Sequence, residues 1–581
     1  MNLSSTIKSI QDIMRKDDGV DGDAQRIGQL TWMLFLKVFD QREEEWEDDA
    51  KDRGKFYFSP LPDECRWRNW AAYKDGNPQI AANELIAFVN NKLFPQLKEI
   101  DITNDSMRKV IRGVFEDTNN YMKSGTLMLG VIEKLDEAIN FHDFKTRQHL
   151  GDIYEQILND LRAAGNAGEF YTPRAITQVM VQLVNPRLDK REKVMDPACG
   201  TGGFLTATID HLHSQTSSRS SIEDKKVIDQ LIIGVEKKQL PHLLCTTNLL
   251  LHGVEVPSQA GHYNTLGKPW NDWRLNERVE CVITNPPFGG LEDAGVGSDY
   301  PSDIQTRETA DMFLVLIVKK LLKDDGRAAI VLPDGALFGE GVKSKIKKLL
   351  LDDCNLHTII RLPNGVFAPY TSIKTNLLFF TKGKPTETIW FYEHPYPKGQ
   401  KSYSKTKPIR LEEFDAEKEW WGKEENDFTE RQENERAWKV DFKVKKLTAE
   451  AQAKPHWDKA IELNNQASAL DNQARDLRDS IKGVNDATQR KLVEDQMTEL
   501  RAKAEQLRRQ SADAQVAGDR LFWPIYNLDI KNPNAPEEET HDPDVLLEKY
   551  KKLLADIEET QEQLKSELAA ALAHHFESEG A

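Results

Sequence analysis

A strand-ending motif at residues 280–290, ECVITNPPFGG, carries groups that can bind a flat ring bearing an amino group. Proline has no backbone N–H, so Pro286 and Pro287 cannot continue a sheet ladder and the strand must stop there. The side-chain oxygen of Asn285 and the carbonyl of Pro286 can accept hydrogen bonds from a planar amino group, and Phe288 can stack on the ring. Such bonds would free the nitrogen lone pair for attack. The alternative interpretation is loop punctuation alone.

A glycine-rich turn follows an apolar run in VMDPACGTGGFL, residues 194–205. The predicted strand ends at Asp196, and Gly200, Gly202 and Gly203 open the turn ahead of a predicted helix. Glycine there permits close approach of a ligand to the backbone and the helix N-terminus. The G-x-G-G spacing differs from that of dinucleotide-binding proteins, and no Lys-Ser or Lys-Thr pair follows as in a P-loop. A nucleoside without phosphates fits this turn best, and a purely structural turn is the weaker alternative.

An acid ends the next predicted strand, LIIGVE, at Glu236. A carboxylate at the end of the second strand can accept hydrogen bonds from ribose hydroxyls, as it does in dinucleotide-binding folds. A solvated acid is the usual explanation for such a residue taken alone. Its position directly after the glycine turn favours the ligand-binding interpretation.

The elements that must position these groups alternate between short β-rich runs and helical segments from about residue 190. Apolar strands that alternate with helices predict an α/β fold with a mostly parallel sheet covered on both faces. Two runs, HTIIRL and NLLFFTKG, follow each other without a long helix and predict an antiparallel hairpin at one edge. The carboxyl ends of parallel strands then gather the motifs at a single edge, where open α/β sheets bind ligands.

The flanks of the sheet are predicted to be helical. We expect an N-terminal helical domain at 1–148, the sheet domain at 149–400, a linker or extended connection at 401–455, and a helical hairpin with a partner-docking helix at 456–581. Apolar residues there step by four and three, which is typical of two long coiled-coil helices that fold back on each other. These residues are Leu463, Ala467, Leu470, Ala474, Leu477 and Ile481, then Val493, Met497, Leu500, Ala504 and Leu507.

The bulk properties limit the class of protein and its partners. The chain has 581 residues and a formal net charge of −17, so it is a poor nucleic-acid binder by itself, because such affinity comes mainly from neutralising phosphates. A partner or a local basic groove would have to help hold DNA. Its five cysteines are far apart and show no zinc-binding spacing. No apolar run is long enough to span a membrane and the start lacks a secretory h-region, so we expect a cytoplasmic protein.

The glycine turn and the NPPF motif together resemble those of the S-adenosylmethionine-dependent DNA methyltransferases that methylate amino groups. Other segments resemble the modification subunit of type I restriction-modification systems, and the likeness covers nearly the whole chain. The resemblance implies a Rossmann-like class I methyltransferase fold. It also implies that the protein methylates adenine N6 in a specific DNA sequence. The segments are AGEFYTPRAI (167–176), YNTL (263–266), LPDGALFG (332–339), LPNGVFAPYTSIKTNLLFF (362–380) and YNLDIKNPN (526–534).

The resemblance also implies which residues hold S-adenosylmethionine and the base. Asn264 lies where related enzymes place an aspartate against the cofactor adenine. Tyr370 is a candidate contact for the target base, with an ordinary edge aromatic as the alternative. The family's catalytic tetrapeptide corresponds to Asn285, Pro286, Pro287 and Phe288. The implied cofactor residues are Glu169, Thr172, Pro173, Asp196, Gly200, Thr201, Gly202, Glu236 and Asn264.

The partners implied by the resemblance explain how a chain with this acidic charge can act on DNA. In that family a separate specificity subunit reads the DNA sequence and two modification subunits embrace the duplex, from which the target adenine must be flipped. No helicase P-loop occurs in the chain, so any restriction or translocase activity would reside in another subunit. Three alternatives stay open: a self-sufficient adenine methyltransferase, a protein glutamine N5-methyltransferase, and a non-catalytic assembly protein with the same fold.

Overall fold

The N-terminal part of the chain is a helical domain. The computed structural model describes residues 3–138, 171–216, 222–368, 371, 373–404, 407–483, 486–535 and 543–578. The domain packs around the second helix, whose Trp32, Phe35 and Phe39 are fully buried. Its helices are α1 (Leu3–Met14), α2 (Gly22–Asp52), α3 (Trp67–Trp70), α4 (Ala82–Phe88), α5 (Phe94–Lys98), α6 (Ser106–Phe115) and α7 (Gly125–Ala138). The predicted helical character of this region is confirmed.

A nine-stranded sheet forms the centre of the molecule, in the order β3-β2-β1-β4-β5-β7-β6-β8-β9. The strands from β3 to β5 in this order run parallel to their neighbours, and β7 runs antiparallel to both β5 and β6. The strands are β1 (Val194–Asp196), β2 (Ile232–Glu236), β3 (Ala260–His262), β4 (Val279–Thr284), β5 (Leu322–Pro333), β6 (Cys354–Arg361), β7 (Thr375–Lys382), β8 (Thr388–Glu393) and β9 (Ala437–Asp441).

Helices cover both faces of this sheet. Strand β4 illustrates the two layers, since Cys281 and Ile283 pack into the core on one face and Val282 into the core on the other. The covering helices are α8 (Arg174–Val184), α9 (Gly203–Ser214), α10 (Ile222–Leu231), α11 (Gln239–Leu251), α12 (Thr309–Leu316), α13 (Asp334–Phe338), α14 (Val342–Asp353) and α15 (Asp415–Trp420). The predicted α/β class with a mostly parallel sheet is confirmed.

The structure differs from the sequence prediction in the position of the antiparallel hairpin and in the region 401–455. Strands β6 and β7 do form an antiparallel pair, but they lie inside the sheet because β8 and β9 extend it beyond them. Strand β9 comes from the region 401–455, so the prediction of a linker there is wrong for this part. The physical reason is Trp438, which is buried and stacks on Phe391 with ring centroids 5.2 Å apart. Burial of this one large aromatic side chain stabilises a strand in an otherwise polar segment.

The C-terminal region is a helical hairpin followed by a separate helix. Helices α16 (Phe442–Ser480) and α17 (Ala487–Phe522) pack along the predicted heptad positions, with Ala467, Ala474, Met497 and Ala504 buried. The predicted hairpin is therefore confirmed, although α16 begins at Phe442 rather than near 456. Helix α18 (Pro543–Ser578) exposes the apolar residues Leu546, Tyr550, Leu553, Ile557, Leu564 and Leu568. Within the described parts of the chain, no helix is both long and apolar enough to cross a membrane.

Candidate active site

The glycine turn joins β1 to α9 at the carboxyl edge of the parallel strands. Gly200 and Gly202 have φ angles of +52° and +82°, which glycine adopts without strain. The N–H of Gly202 donates to the carbonyl of Cys199 at 2.8 Å and closes the turn. A Cβ atom added to Gly202 would lie 2.8 Å from Cys245 Sγ on α11. The turn therefore passes against α11 with no space for a side chain at Gly202.

Glu236 ends β2 and holds the neighbouring backbone with both carboxylate oxygens. Its Oε2 accepts a hydrogen bond from Gly200 N at 3.0 Å, and its Oε1 accepts one from Lys238 N at 2.7 Å. The side chain is buried, and this burial raises the pKa of the Glu236 carboxyl above its usual range. The carboxylate thus ties the glycine turn to the start of α11.

Asp196 ends β1 and has one engaged and one open carboxyl oxygen. Its Oδ1 accepts hydrogen bonds from Thr284 Oγ1 at 2.7 Å and from Ala198 N at 3.1 Å. Its Oδ2 is buried and has no hydrogen-bond partner among the described residues. Removal from water raises the pKa of the Asp196 carboxyl to about 7, and the nearby Glu236 adds to the rise. A cationic group of a ligand is the natural partner for this open oxygen.

Asn285 directly follows β4, and its side-chain amide has one engaged and one open end. Nδ2 donates to Thr172 Oγ1 at 3.0 Å. Oδ1 is buried and, within the described structure, has no hydrogen-bond partner. Buried polar atoms in proteins nearly always have partners, so an open acceptor here indicates a place for a ligand donor. An amino group is the donor that the sequence predicts.

The rest of the NPPF motif frames this acceptor. Pro286 is buried, Pro287 is exposed, and Phe288 is half-buried. The ring of Phe288 packs edge-on against Phe367, with centroids 6.5 Å apart and planes at 79°. This contact holds the ring beside Asn285 while leaving much of it uncovered. A stacking surface and a hydrogen-bond acceptor therefore occur together, as the motif predicts.

A cavity of about 290 Å³ connects these groups. Ligand pockets typically have volumes of about 300–1,000 Å³, so this one is near the lower end of that range. The predicted site residues that line it are Thr172, Asp196, Gly200, Thr201, Glu236, Asn285, Pro287 and Phe288. Motifs that are up to 113 residues apart in the chain, as Thr172 and Asn285 are, thus meet in one place.

Four of the predicted site residues that the structure describes do not line this cavity: Gly202, Pro173, Pro286 and Asn264. Gly202 acts as the N-cap residue of α9, and Pro173 occupies the same position for α8. Pro286 lies beneath the surface. Glu169 and Tyr370 lie outside the described residues. The assignment of Glu169 to the cofactor and of Tyr370 to the target base stays a prediction.

Asn264 follows β3 at the edge of the sheet, and both ends of its amide are already engaged. Its Oδ1 accepts a hydrogen bond from Leu266 N at 3.1 Å, and its Nδ2 donates to Glu292 Oε2 at 3.1 Å. Glu292, which is buried and also 3.1 Å from Lys237 Nζ, lines the cavity whereas Asn264 does not. Sequence reasoning missed Glu292, since an acid four residues after Phe288 is indistinguishable from a solvated loop residue.

The thiol of Cys199, which lines the cavity, and that of Cys245 next to it are structural. Cys199 Sγ lies 3.8 Å from Cys245 Sγ, and both side chains are buried. The hydrogen bond with Cys245 and burial hold the pKa of the Cys199 thiol well above its usual value. A thiol is nucleophilic only as the thiolate, so Cys199 is a small turn residue rather than a nucleophile.

Comparison with known proteins assigns the family of the chain. Residues 145–454 match the model of the N-6 DNA methylase family, and residues 3–135 match the HsdM N-terminal domain. The chain is 50% identical over 575 residues to the type I restriction enzyme EcoEI methylase subunit of Escherichia coli, covering 99% of both chains. It is 29% identical to the EcoKI methylase subunit of Escherichia coli K12, covering 70% of this chain and 74% of the relative.

Solved structures agree with these relatives. A chain assigned as a modification subunit of a type I restriction enzyme from Vibrio vulnificus YJ016 has a TM-score of 0.67 and 42% identity, covering 76% of this chain and 92% of that one. A chain from a structure of the type I R-M system has a TM-score of 0.67 and 31% identity, covering 97% and 99%. The resemblance in the sequence motifs is thereby confirmed. This chain belongs to the N-6 DNA methylase family and, within it, to the methylase subunits of type I restriction enzymes.

Proposed function

We propose that this protein transfers a methyl group from S-adenosylmethionine to N6 of an adenine in DNA, with the base held by the NPPF motif. Adenine-N6 methylation of DNA is the activity of its family. The single observation that carries the assignment of the site is Asn285 Oδ1, a buried acceptor without a partner among the described residues. It lies in the cavity that also contains Asp196 and Glu236.

The cavity has the groups that S-adenosylmethionine requires. When bound, this cofactor supplies a methyl group on a positively charged sulfur. The open oxygen of Asp196 can accept a hydrogen bond from the cationic amino group of the cofactor, and Glu236 is positioned at the end of β2 for the ribose hydroxyls. The turn at Gly200 and Thr201 lets a ligand approach the backbone closely. These residues bind and orient the cofactor.

The target base needs two acceptors and a stacking surface. Asn285 Oδ1 and the carbonyl of Pro286 accept the two N–H groups of the adenine amino group, and Phe288 stacks on the ring. Because Thr172 receives the amide N–H of Asn285, the oxygen of that amide faces the base. Flipping the base out of the duplex costs a few kcal/mol, which these contacts offset. Positioning then provides much of the rate acceleration.

The protein acts in this proposal as one subunit of a complex. A net charge of −17 makes it a weak DNA binder alone, so a DNA-sequence specificity subunit and a second copy of the chain hold the duplex with it. The hairpin of α16 and α17 and the exposed apolar side of α18 are surfaces for these partners. A restriction subunit with translocase activity would be a further member. The complex works in the cytoplasm.

The boundaries near residues 148 and 400 separate three functional parts in this proposal. The N-terminal helical domain packs against helix α11 beside the glycine turn, the sheet domain carries the chemistry, and the C-terminal helices bind partners. Glu169 and Tyr370 keep their proposed contacts with the cofactor and the flipped base. Each part can be tested in the full complex.

Transfer of a labelled methyl group to DNA tests this function. The chain is assayed alone and together with a co-expressed specificity subunit, and the methylated base is identified by mass spectrometry after digestion. We expect N6-methyladenine only when both subunits are present. Methylation of DNA by the isolated chain would contradict the need for a partner. Methylation of protein glutamine, or no transfer in the complex, would contradict the assigned reaction.

A further inference from the structure

Helix α11 belongs to two parts of the molecule at once. Leu243, Leu244 and Leu250 pack into the core of the N-terminal helical domain. On its other side, Cys245 and Leu249 pack into the core around the glycine turn and β2. A helix shared by two cores cannot move with one of them without disturbing the other, because packed interiors leave little free space.

Both ends of α11 are hydrogen-bonded to the N-terminal domain. At its start, Gln239 Nε2 donates to Val114 O at 2.6 Å and to Gly113 O at 3.2 Å, near the end of α6. Just beyond its end, Gly253 O accepts a hydrogen bond from Arg42 Nη2 of α2 at 3.2 Å. The N-terminal domain therefore fixes the position of α11 along its whole length.

The same helix holds the cofactor-binding groups in place. Lys238, the residue before Gln239, donates its N–H to Glu236 Oε1 at 2.7 Å. Further along, Asn248 Nδ2 donates to Thr201 O in the glycine turn at 3.1 Å. One chain of contacts therefore runs from α6 through Gln239 and Lys238 to the carboxylate of Glu236.

We propose that Gln239 is a positioning residue through which the N-terminal domain sets the affinity of the methyltransferase pocket for its cofactor. This inference depends on the proposed function, since it assumes that Glu236 binds S-adenosylmethionine. Coupling between two sites is reciprocal. Anything that binds and shifts the N-terminal domain thus changes cofactor affinity, and the bound cofactor in turn steadies the end of α6.

The Gln239→Leu variant of the full chain tests the coupling. It removes the hydrogen bonds that Gln239 donates to Gly113 O, Val114 O and Thr118 Oγ1, at similar side-chain size. We expect the Kd for S-adenosylhomocysteine, measured by calorimetry, to rise by about 5- to 20-fold, within the range usual for coupled sites. In the complex with the specificity subunit, KM for S-adenosylmethionine should rise while kcat changes little, because Gln239 does not touch the reacting groups.

Gln79→Leu is the matched control. Gln79 Nε2 also donates to two backbone carbonyls, those of Arg68 and Ala72, both at 2.7 Å, but all three residues lie within the N-terminal domain. We expect this variant to lose thermal stability and to keep the wild-type Kd. If Gln239→Leu lowers stability in the same way and leaves the Kd unchanged, Gln239 is only structural and the inference is overturned.

Hydrogen exchange on the wild-type chain gives a test that does not depend on a variant folding. Saturating S-adenosylhomocysteine should slow amide exchange around residues 113–118, which Gln239 contacts. Protection confined to the sheet domain would overturn the inference. Failure of the wild-type chain and of its complex to bind S-adenosylhomocysteine would instead contradict the proposed function, so the two failures are distinguishable.

Discussion

Asn285 Nδ2 donates a hydrogen bond to Thr172 Oγ1 at 3.0 Å, and this bond decides which end of the amide the pocket presents. With Nδ2 engaged, Oδ1 is the end left open. Thr172 precedes α8 and Asn285 follows β4, so the bond also joins two segments that are distant in the sequence. The orientation of the acceptor therefore depends on a residue outside the NPPF motif.

Replacing Thr172 by valine keeps the side-chain shape and removes the hydroxyl that receives the Asn285 amide. A lost hydrogen bond of about 1–2 kcal/mol corresponds to about 5- to 30-fold slower methyl transfer. Single-turnover rates in the complex with the specificity subunit should show this fall, and Thr172→Ser, which keeps the hydroxyl, should stay near wild type. A large rise in cofactor Kd at an unchanged rate would mean that Thr172 serves the cofactor instead.

Gly202→Ala tests the close packing of the glycine turn against α11. The new Cβ would meet Cys245 Sγ at 2.8 Å in a backbone conformation with φ of +82°. Overpacking of this kind destabilises proteins by about 1–3 kcal/mol, so the melting temperature should fall. Gly253→Ala, with φ of +89° and open space around it, separates backbone strain from the clash.

A second substitution completes that test. Cys245→Ala removes the atom that the new methyl group would strike, so it should restore part of the stability of Gly202→Ala. Thermal unfolding of the single and double variants measures the coupling. Equal melting temperatures for Gly202→Ala and Gly253→Ala would show that the contact with Cys245 does not matter.

The Asp196 carboxyl makes cofactor affinity depend on pH. Its pKa is raised to about 7 in the folded protein, mainly by burial. Below about pH 7 the neutral acid offers no charge to a cationic ligand, so we expect the Kd for S-adenosylmethionine to fall as the pH rises from about 6 to about 7.5. Calorimetry on wild type and Asp196→Asn measures this, and an equally steep pH dependence in the variant would exclude Asp196 as the cause.

The raised pKa of Asp196 also makes the free energy of unfolding depend on pH. Between about pH 4 and about pH 7 the folded state keeps a proton that the unfolded state has lost, so the Asp196 contribution makes the free energy of unfolding decrease as the pH rises through this window. Asp196→Asn should remove that contribution. Comparison of urea unfolding for the two proteins at several pH values detects the difference.

Glu292 and Asn264 can be separated by substitution. Glu292 lines the cavity, while Asn264 uses its oxygen to accept from Leu266 N and its amide N–H to hold Glu292. We therefore expect Glu292→Ala to raise the Kd for S-adenosylhomocysteine more than Asn264→Ala does. Asn264 is the N-cap residue of the short 3-10 helix Thr265–Gly267, and loss of this cap should lower stability by about 0.5–2 kcal/mol. The reverse order of Kd values would favour the direct contact that the family resemblance implies for Asn264.

The fold could be predicted where local sequence determines the element. The strands that end at Asp196, Glu236 and Thr284 are short apolar runs with clear stops, and all three are present. Strands β3 and β9 could not be found in this way. The first is only three residues long, and the second depends on a long-range contact of Trp438 with Phe391. Such pairings depend on the neighbouring strand rather than on local pattern.

The site residues also divide into those that could be predicted from the sequence and those that could not. Residues in motifs with unusual composition, such as Asp196, Gly200 and Asn285, could be named from the sequence, and they line one cavity. The use of Asn264 as a cap and the burial of Glu292 could not, because both depend on how loops from different strands meet. The role of Gln239 likewise requires the docked N-terminal domain.

The central claim is that the open oxygen of Asn285 holds the target amino group. Asn285→Ala in the full complex with the specificity subunit, assayed by single-turnover transfer of a labelled methyl group to DNA and by S-adenosylhomocysteine calorimetry, tests it most directly. We predict that transfer falls by at least about 100-fold, as when a group that stabilises a transition state is removed. Cofactor affinity should stay close to wild type. Transfer at the wild-type rate, or loss of cofactor binding with it, would contradict the account.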